Sequence, residues 1–359
     1  MTFSKILVIK LRAIGDVVLS TPVLANLNAA FPEADIHFLT ESASAPAVEG
    51  HPHADRVLVL PDRKAHVSAW RYHTAMIRFL SRIRKQRYDL VLDLFGNPRS
   101  ALITRLSGAP VRAGYRFRGR MLAYNRRIEP HGDRVHEVRF NLDALRALGV
   151  PVRHEDPRFV FGPEDARRID TWIAGHFSDA DFLIAVHPWG SWPAKRWPLT
   201  RFSQLADRLV RALDARVIVL WGPGEKAYAE EVLSASNQKL ALAPQTTLKE
   251  LGALLARCGL VVANDSGPMH IAAAVGAPTV GLFGPTNPAL QGPFGPNGLA
   301  VFNPDVSCIG CNRLRCPDGS CMTGLTVDHV EAEILEFLKK NHSRSSNARK
   351  KAYQKTGAS

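Results

Sequence analysis

VVANDSGPMHIAAAVGAPTVGLFGPTNP, residues 261–288, reads as a strand, a helix and a second strand. An apolar run ends at Asn264. Asp265 and Ser266 are helix-capping residue types, and a helix opens near Pro268, a residue suited to a first turn. The second run is PTVGLFG at 278–284. Runs buried on both faces and separated by a helix are parallel strands joined by a crossover. N–H groups at the start of that helix point beyond the strand end and suit a diphosphate, which Gly267 lets approach the backbone. Asp265 and Ser266 thus have two readings, caps or ligand contacts. His270, early in the helix, is either a contact or a core residue.

The same alternation extends to both sides. Upstream lie DFLIAVHP (181–188), a helix at 199–213, RVIVLWG (216–222), a helix at 225–233, the short run QKLAL and a helix at 247–257. The first half repeats the plan: KILVIKL (5–11), a helix to about Phe31, ADIHFLT (34–40), RVLVL (56–60), a helix at 70–86 and YDLVLDL (88–94). A helix over 136–148 stops at Gly149 with Pro151 beyond it, and 152–181 reads as a connecting segment. The fold class is α/β, in two domains at 1–175 and 176–340. Residues 341–359, basic and without acids, read as a disordered tail. A chain of 359 residues with 46% hydrophobic and 22% charged residues has ample material for two cores.

The formal net charge of +13 implies an anionic partner. From Arg63 to Arg127 sixteen Lys and Arg face only Asp89 and Asp93, so the basic surface belongs to the first half. No aromatic-studded basic strand accompanies it, which argues against nucleic acid. The run at Ile6 is broken by Lys10 and Arg12, so no secretory signal is read and a cytoplasmic location is expected. The uncharged stretch 266–304 carries prolines that would break a spanning helix.

Four further features bear on chemistry. HPWGSWPAKRWP (187–198) follows a strand end, and its Lys195 and Arg196 can neutralise phosphate. Trp197 reads as packing; Trp189 and Trp192 either pack or stack on a ligand. Glu225 lies past another strand end, suited to ribose hydroxyls or, exposed in a first turn, to the helix dipole. Cys308, Cys311, Cys316 and Cys321 have a spacing that suits zinc or a reduced loop, while Cys258 reads as core. Asp179 and Asp181 precede a strand, and are not read as a metal site. In ILVIKLRAIGDVVLSTP (6–22), Asp16 stands where a strand hands over to a helix; it would repel a phosphate there but suits a cap.

LRAIGDVVLSTP, HPWGSWPAKRWP and above all NDSGPMHIAAAVGAPTVGLFGPTNP resemble the bacterial ADP-heptose:lipopolysaccharide heptosyltransferases, glycosyltransferase family 9, over about residues 5–330. The resemblance implies the GT-B fold: two facing Rossmann-like domains with a central cleft, acceptor in the first and sugar nucleotide in the second. It makes Asp16 the general base of an inverting transfer. It assigns the donor to Ser191, Lys195, Glu225, Asp265, Ser266, Gly267 and His270, with Gly190 where the family has a hydroxyl residue. No metal or other cofactor is implied.

An anionic lipopolysaccharide core acceptor would meet Arg63, Lys64, Arg116, Arg118 and Arg120. Its lipid would bring the enzyme to the inner-leaflet membrane surface as a peripheral protein, aided by the basic tail. Alternatives are a sugar-nucleotide epimerase of the same architecture, or a transferase of this family using another nucleotide sugar.

Overall fold

The computed structural model describes residues 2–65, 68–117, 119–129, 135–178 and 182–356; for Lys64, Met121 and 342–356 it describes backbone alone. The chain forms two compact units. One holds the chain to Arg168 together with Thr247–Ala253, the other Ile169–Thr246 and the chain from Leu254.

The first unit contains, in chain order, β1 (Lys5–Ile9), α1 (Ile14–Ser20), α2 (Pro22–Ala30), β2 (Asp35–Thr40), β3 (Arg56–Val59), α3 (Ala69–Lys85), β4 (Leu90–Asp93), α4 (Pro98–Leu106), β5 (Val111–Tyr115), β6 (Arg126–Ile128) and α5 (Glu137–Arg146). Its six parallel strands lie in the order β3-β2-β1-β4-β5-β6. Right-handed crossovers run one way from β1 to β3 and the other way from β3 through β4 to β6, which puts helices on both faces. Accordingly α1 and α2 pack with α5, whereas α3 packs with α4, and α4 with a 3₁₀ turn at Met121–Ala123. Ile6, Leu7, Val8 and Ile9 of β1 are all fully buried, as a central parallel strand requires.

The single helix expected up to Phe31 is two. Thr21 bonds its N–H and hydroxyl to the Val18 carbonyl, and Pro22, with no N–H to continue the ladder, opens α2 as its first residue.

α6 (Pro163–Ala174) spans the boundary between the units, inside the stretch expected to be a connector. The second unit continues with β7 (Phe182–His187), α7 (Leu199–Leu213), β8 (Ala215–Val219), α8 (Lys226–Ser234), β9 (Ala241–Leu242), α9 (Leu248–Leu255), β10 (Leu260–Asn264), α10 (Gly267–Ala274), β11 (Thr279–Phe283), α11 (Pro288–Gln291), β12 (Gly298–Phe302), α12 (Ser320–Thr323) and α13 (Val327–Thr356). Its sheet is also parallel, in the order β12-β11-β10-β7-β8-β9. Counted from β7, this is the strand order of the first sheet. Each sheet thus reverses direction once, between β1 and β4 and between β7 and β10.

Most of α9 belongs to the first unit. Lys249 donates to the Glu49 carbonyl at 2.6 Å, Arg168 pairs with Glu250 at 2.7 Å, and Phe159 fills the space a side chain on Gly252 would need. The tail expected to be disordered continues α13 to Thr356; it holds neither Gly nor Pro before that residue, so a helix nucleated on the core at Val330, Ile334 and Phe337 has nothing to stop it. Among the described residues no helix is long and apolar enough to cross a membrane.

His51, in the stretch between β2 and β3, is buried, and its pKa falls from the ordinary 6.5 to about 4. Burial is the largest cause, followed by His53, Arg158 and Lys249. The unfolded chain therefore takes up a proton that the folded one refuses. Stability from this group is complete above pH 6.5 and lost as pH falls toward 4, by about 2 kcal/mol at pH 5. Urea unfolding at pH 7 and pH 5 should show that loss, and His51→Gln should reduce it.

Candidate functional site

Ligands of open α/β sheets bind beyond the carboxyl ends of the strands, at the point where strand order reverses. Each unit has one such point, and the two differ in chemistry.

In the first unit β1 runs out at Ile9 into Lys10, which is 4% exposed. Its ammonium donates to Glu137 Oε1 at 2.7 Å, Asn141 Oδ1 at 3.2 Å and the Leu94 carbonyl at 3.3 Å. Burial by itself would lower the Lys10 pKa, but the carboxylates of Glu137, Asp16 and Asp93 raise it, so the lysine stays charged. Asp16 is the third residue of α1, half-buried; its Oδ2 accepts the Ala13 N–H at 3.0 Å. That bond is the capping role its residue type suggested, served from inside the helix. Among the described residues no donor meets Oδ1, which leaves this oxygen available to a ligand.

Across the reversal, Asp93 ends β4 with no exposed surface. Its Oδ1 accepts the Phe95 and Gly96 N–H groups and its Oδ2 the Tyr124 hydroxyl at 2.7 Å. Burial outweighs those bonds and raises its pKa. The sequence reading passed over Asp93, although a carboxylate closing an apolar strand was the visible signal.

The basic residues expected to meet an acceptor are divided. Arg63 follows β3, exposed, with its guanidinium over the Tyr72 ring. Arg116 follows β5 and pairs with Glu129 at 2.9 Å on the surface, and Arg120 lies over Phe117. Four strand spacings separate β3 from β5, roughly 19 Å. These cations therefore flank the reversal from both sides instead of clustering. Arg118 and the Lys64 side chain lie outside the described residues.

In the second unit, Asn264 at the end of β10 fixes the loop after β7. Its Nδ2 donates to the Pro188 carbonyl and its Oδ1 accepts the Trp197 N–H. Trp197, 1% exposed, packs edge-on against Phe202 and donates to the Leu325 carbonyl, as expected of a packing residue. Trp189 and Trp192 are occupied by cations of the same loop, Arg196 and Lys195 respectively. Lys195 Nζ donates to Asp265 Oδ2 at 2.7 Å, and the same oxygen accepts the Thr286 hydroxyl at 2.6 Å. His270 Nε2 stands 4.0 Å from Asp265 Oδ1, so His270 faces this pair from within α10.

Neither Asp265 nor Ser266 caps α10 with its side chain. Asp265 is taken by Lys195, and Ser266 Oγ donates back to the Asn264 carbonyl and lies 3.2 Å from His187 Nδ1. The first N–H groups of α10 are thus left for an external acceptor. His187 Nε2 is 3.2 Å from Glu225 Oε2, which also accepts the Gly222 N–H at 2.8 Å. Glu225 is therefore half-buried and held, not an exposed first-turn residue. Gly267 opens α10 beside Ser266, and Ser191 is exposed on the loop. Thr286 and His187 are the members sequence reasoning missed.

All five cysteines are free thiols. Cys258 is buried, and burial pushes its pKa to about 12. Cys316 Sγ accepts the Gly319 N–H, and Cys321 packs beneath Gly284. Among the described residues no group of three or more His, Cys, Asp or Glu is placed to hold a metal ion. Asp179 and Asp181 lie outside the described residues.

The profile of glycosyltransferase family 9 (heptosyltransferase) matches residues 76–321. Lipopolysaccharide heptosyltransferase 1 of Pseudomonas aeruginosa is 28% identical over 320 residues, 87% of this chain and 87% of that protein. The crystal structure of the glycosyl transferase family 9 from Veillonella parvula is similar at a TM-score of 0.76 with 26% identity, over 84% of this chain and 85% of that one. The structure of the Escherichia coli ADP-heptose lps heptosyltransferase II reaches 0.75 with 22% identity, over 94% and 99%. With two Rossmann-like units in one chain, the fold is GT-B.

The shared acceptor oxygen sets an order of effects. Asp265→Ala should cost about 3–5 kcal/mol, because it strands the largely buried Lys195 ammonium. Thr286→Val, which spares the ion pair, should cost about 1 kcal/mol. Chemical denaturation of both variants measures the difference.

Proposed function

The chain belongs to glycosyltransferase family 9 (heptosyltransferase), and on that premise we propose that it is an inverting glycosyltransferase moving heptose from ADP-heptose to the inner core of lipopolysaccharide. The acceptor on this reading is Kdo-lipid A or an already heptosylated core. The names of its relatives, lipopolysaccharide heptosyltransferases among them, support the substrate class. The observation that carries the reading is the chemical contrast between the two reversal points. One offers a carboxylate with an unengaged oxygen; the other offers a lysine beside open helix N–H groups.

Asp16 is assigned as the general base. The acceptor hydroxyl oxygen bonds to C1 of the heptose and gives its proton to Asp16. On the opposite side of the sugar, the bond from C1 to the diphosphate breaks and ADP departs. Negative charge grows on that diphosphate, and Lys195 with the N–H groups of α10 stabilises it. Asp265 holds the Lys195 ammonium in place, while Ser191, Ser266, Gly267 and His270 complete the diphosphate and sugar contacts. Glu225, fixed by Gly222 and His187, accepts from ribose hydroxyls. Arg63, Lys64, Arg116, Arg118 and Arg120 meet the phosphates and carboxylates of the acceptor. The first unit is thus the acceptor domain and the second the donor domain, and the enzyme works in the cytoplasm, peripheral on the inner leaflet.

Purified protein, ADP-heptose and a panel of truncated lipopolysaccharide acceptors test this directly. Acceptor-dependent ADP release with an inverted product linkage is expected; sugar-nucleotide consumption that ignores the acceptor would refute the transfer. Asp16→Asn should lower kcat by about 10²–10⁴-fold and leave donor binding unchanged.

A further inference from the structure

The layer made by α3, α4 and the turn at 121–123 covers one face of the first sheet, and its outer side is unusual in composition. The chain has eight exposed large hydrophobic residues among those described, and five of them, Trp70, Ile77, Leu102, Leu106 and Leu122, belong to this layer. Trp70 is 79% exposed, Ile77 68% and Leu122 77%. Core packing does not require them. α3 already presents Met76, Phe79, Leu80 and Ile83 to the interior. Trp70 and Ile77, seven residues apart, form a second apolar stripe on its outer side. On α4, Leu102 and Leu106 are one turn apart on the outer side, and Leu102 shares a shallow depression with Leu122, Arg105 and Arg120.

The charge on this side is of one sign. Arg71, Arg78, Arg82, Arg84, Lys85 and Arg105 make no ion pair among the described residues. The two acids of the stretch are withdrawn: Asp93 is fully buried, and Asp89 accepts the N–H groups of Ser4 and Lys5. The layer is continuous, since α3 packs on α4 and the Arg84 side chain reaches Gly108 just past the end of α4. Single exposed apolar residues are ordinary. Aromatic and aliphatic side chains set among unpaired arginines, with no acid between them, match an anionic lipid surface: apolar groups enter the headgroup boundary and guanidinium groups pair with phosphates.

We propose that the outer side of the α3–α4 layer docks this protein on an anionic membrane leaflet. The inference rests on the reading above that the acceptor is carried by a lipid, and it names the surface that brings the enzyme to it. Each cation near such a leaflet strengthens binding about fivefold at physiological ionic strength, so the arginines supply attraction and the apolar stripe supplies residence when salt is raised.

Co-sedimentation of the full chain with phosphatidylglycerol-containing and pure phosphatidylcholine vesicles tests this. Binding to the anionic vesicles alone is expected. Trp70→Ser with Ile77→Ser should weaken it about tenfold or more, and Arg78→Glu with Arg82→Glu should weaken it further and remove most of its salt dependence. Both double variants should keep wild-type transfer to a lipid-free core oligosaccharide, and lose transfer to the same acceptor anchored in vesicles. Their thermal unfolding, which surface changes of this kind leave near wild type, confirms that they fold. Wild-type vesicle binding by both variants would overturn the proposal. So would binding lost only on removal of residues 341–359, or an apolar face that instead mediates self-association without lipid. Absence of transfer to the lipid-free acceptor by the wild-type chain would refute the catalytic reading and leave the vesicle result to stand or fall on its own.

Discussion

Parallel strands can be joined only by chain that crosses over a face of the sheet, and a right-handed crossover fixes which face. When the path first runs one way along the sheet and then the other, the crossovers at the turning point leave for opposite faces. The strand ends between them stay uncovered. Both sheets of this protein obey that constraint with the same strand order, and the ionisable groups of the candidate site lie where it leaves a gap: Lys10, Asp16 and Asp93 in one unit, His187, Lys195 and Asp265 in the other.

The two gaps are dressed with opposite electrostatic aims. In the first, a buried ammonium is surrounded by Glu137, Asn141 and Leu94, with Asp16 and Asp93 contributing to its field. In the second, one carboxylate oxygen of Asp265 binds both Lys195 and Thr286, which holds the lysine in a fixed place. A long side chain held in this way has little left to reorganise, which is what the role proposed for Lys195 requires.

Much of this was legible in the chain. The run from Val261 to Pro288 announced a strand, a helix start and a second strand, and the structure has β10, α10 and β11 there. α7 falls on Leu199–Leu213 as read from its apolar period. Short elements at or next to the sheet edges were missed: the edge strands β6 and β12, and β5 beside β6, are partly exposed, and their apolar signal is diluted by arginines or glycines. α4 escaped notice because its period is weak, although Asn97 and Pro98 are a good helix start. Site members with a polar side chain in a plain loop or strand end, Thr286 and His187, carry no local mark; only the fold brings them to Asp265 and Glu225. The split between α1 and α2 was visible in Thr21-Pro22 and was overridden by the apolar run that continues through it.

The seven residues Thr247–Ala253 belong to the first unit although the chain on both sides belongs to the second. The polypeptide therefore passes between the units three times, and neither unit is a continuous stretch of gene. A recombination event with one junction near Arg168 would deliver a second half whose α9 bears a Lys249 and a Glu250 fitted to the original Glu49, Val160 and Arg168. A single junction therefore cannot carry either unit over intact: exchange of whole halves between relatives breaks the contacts of that inset.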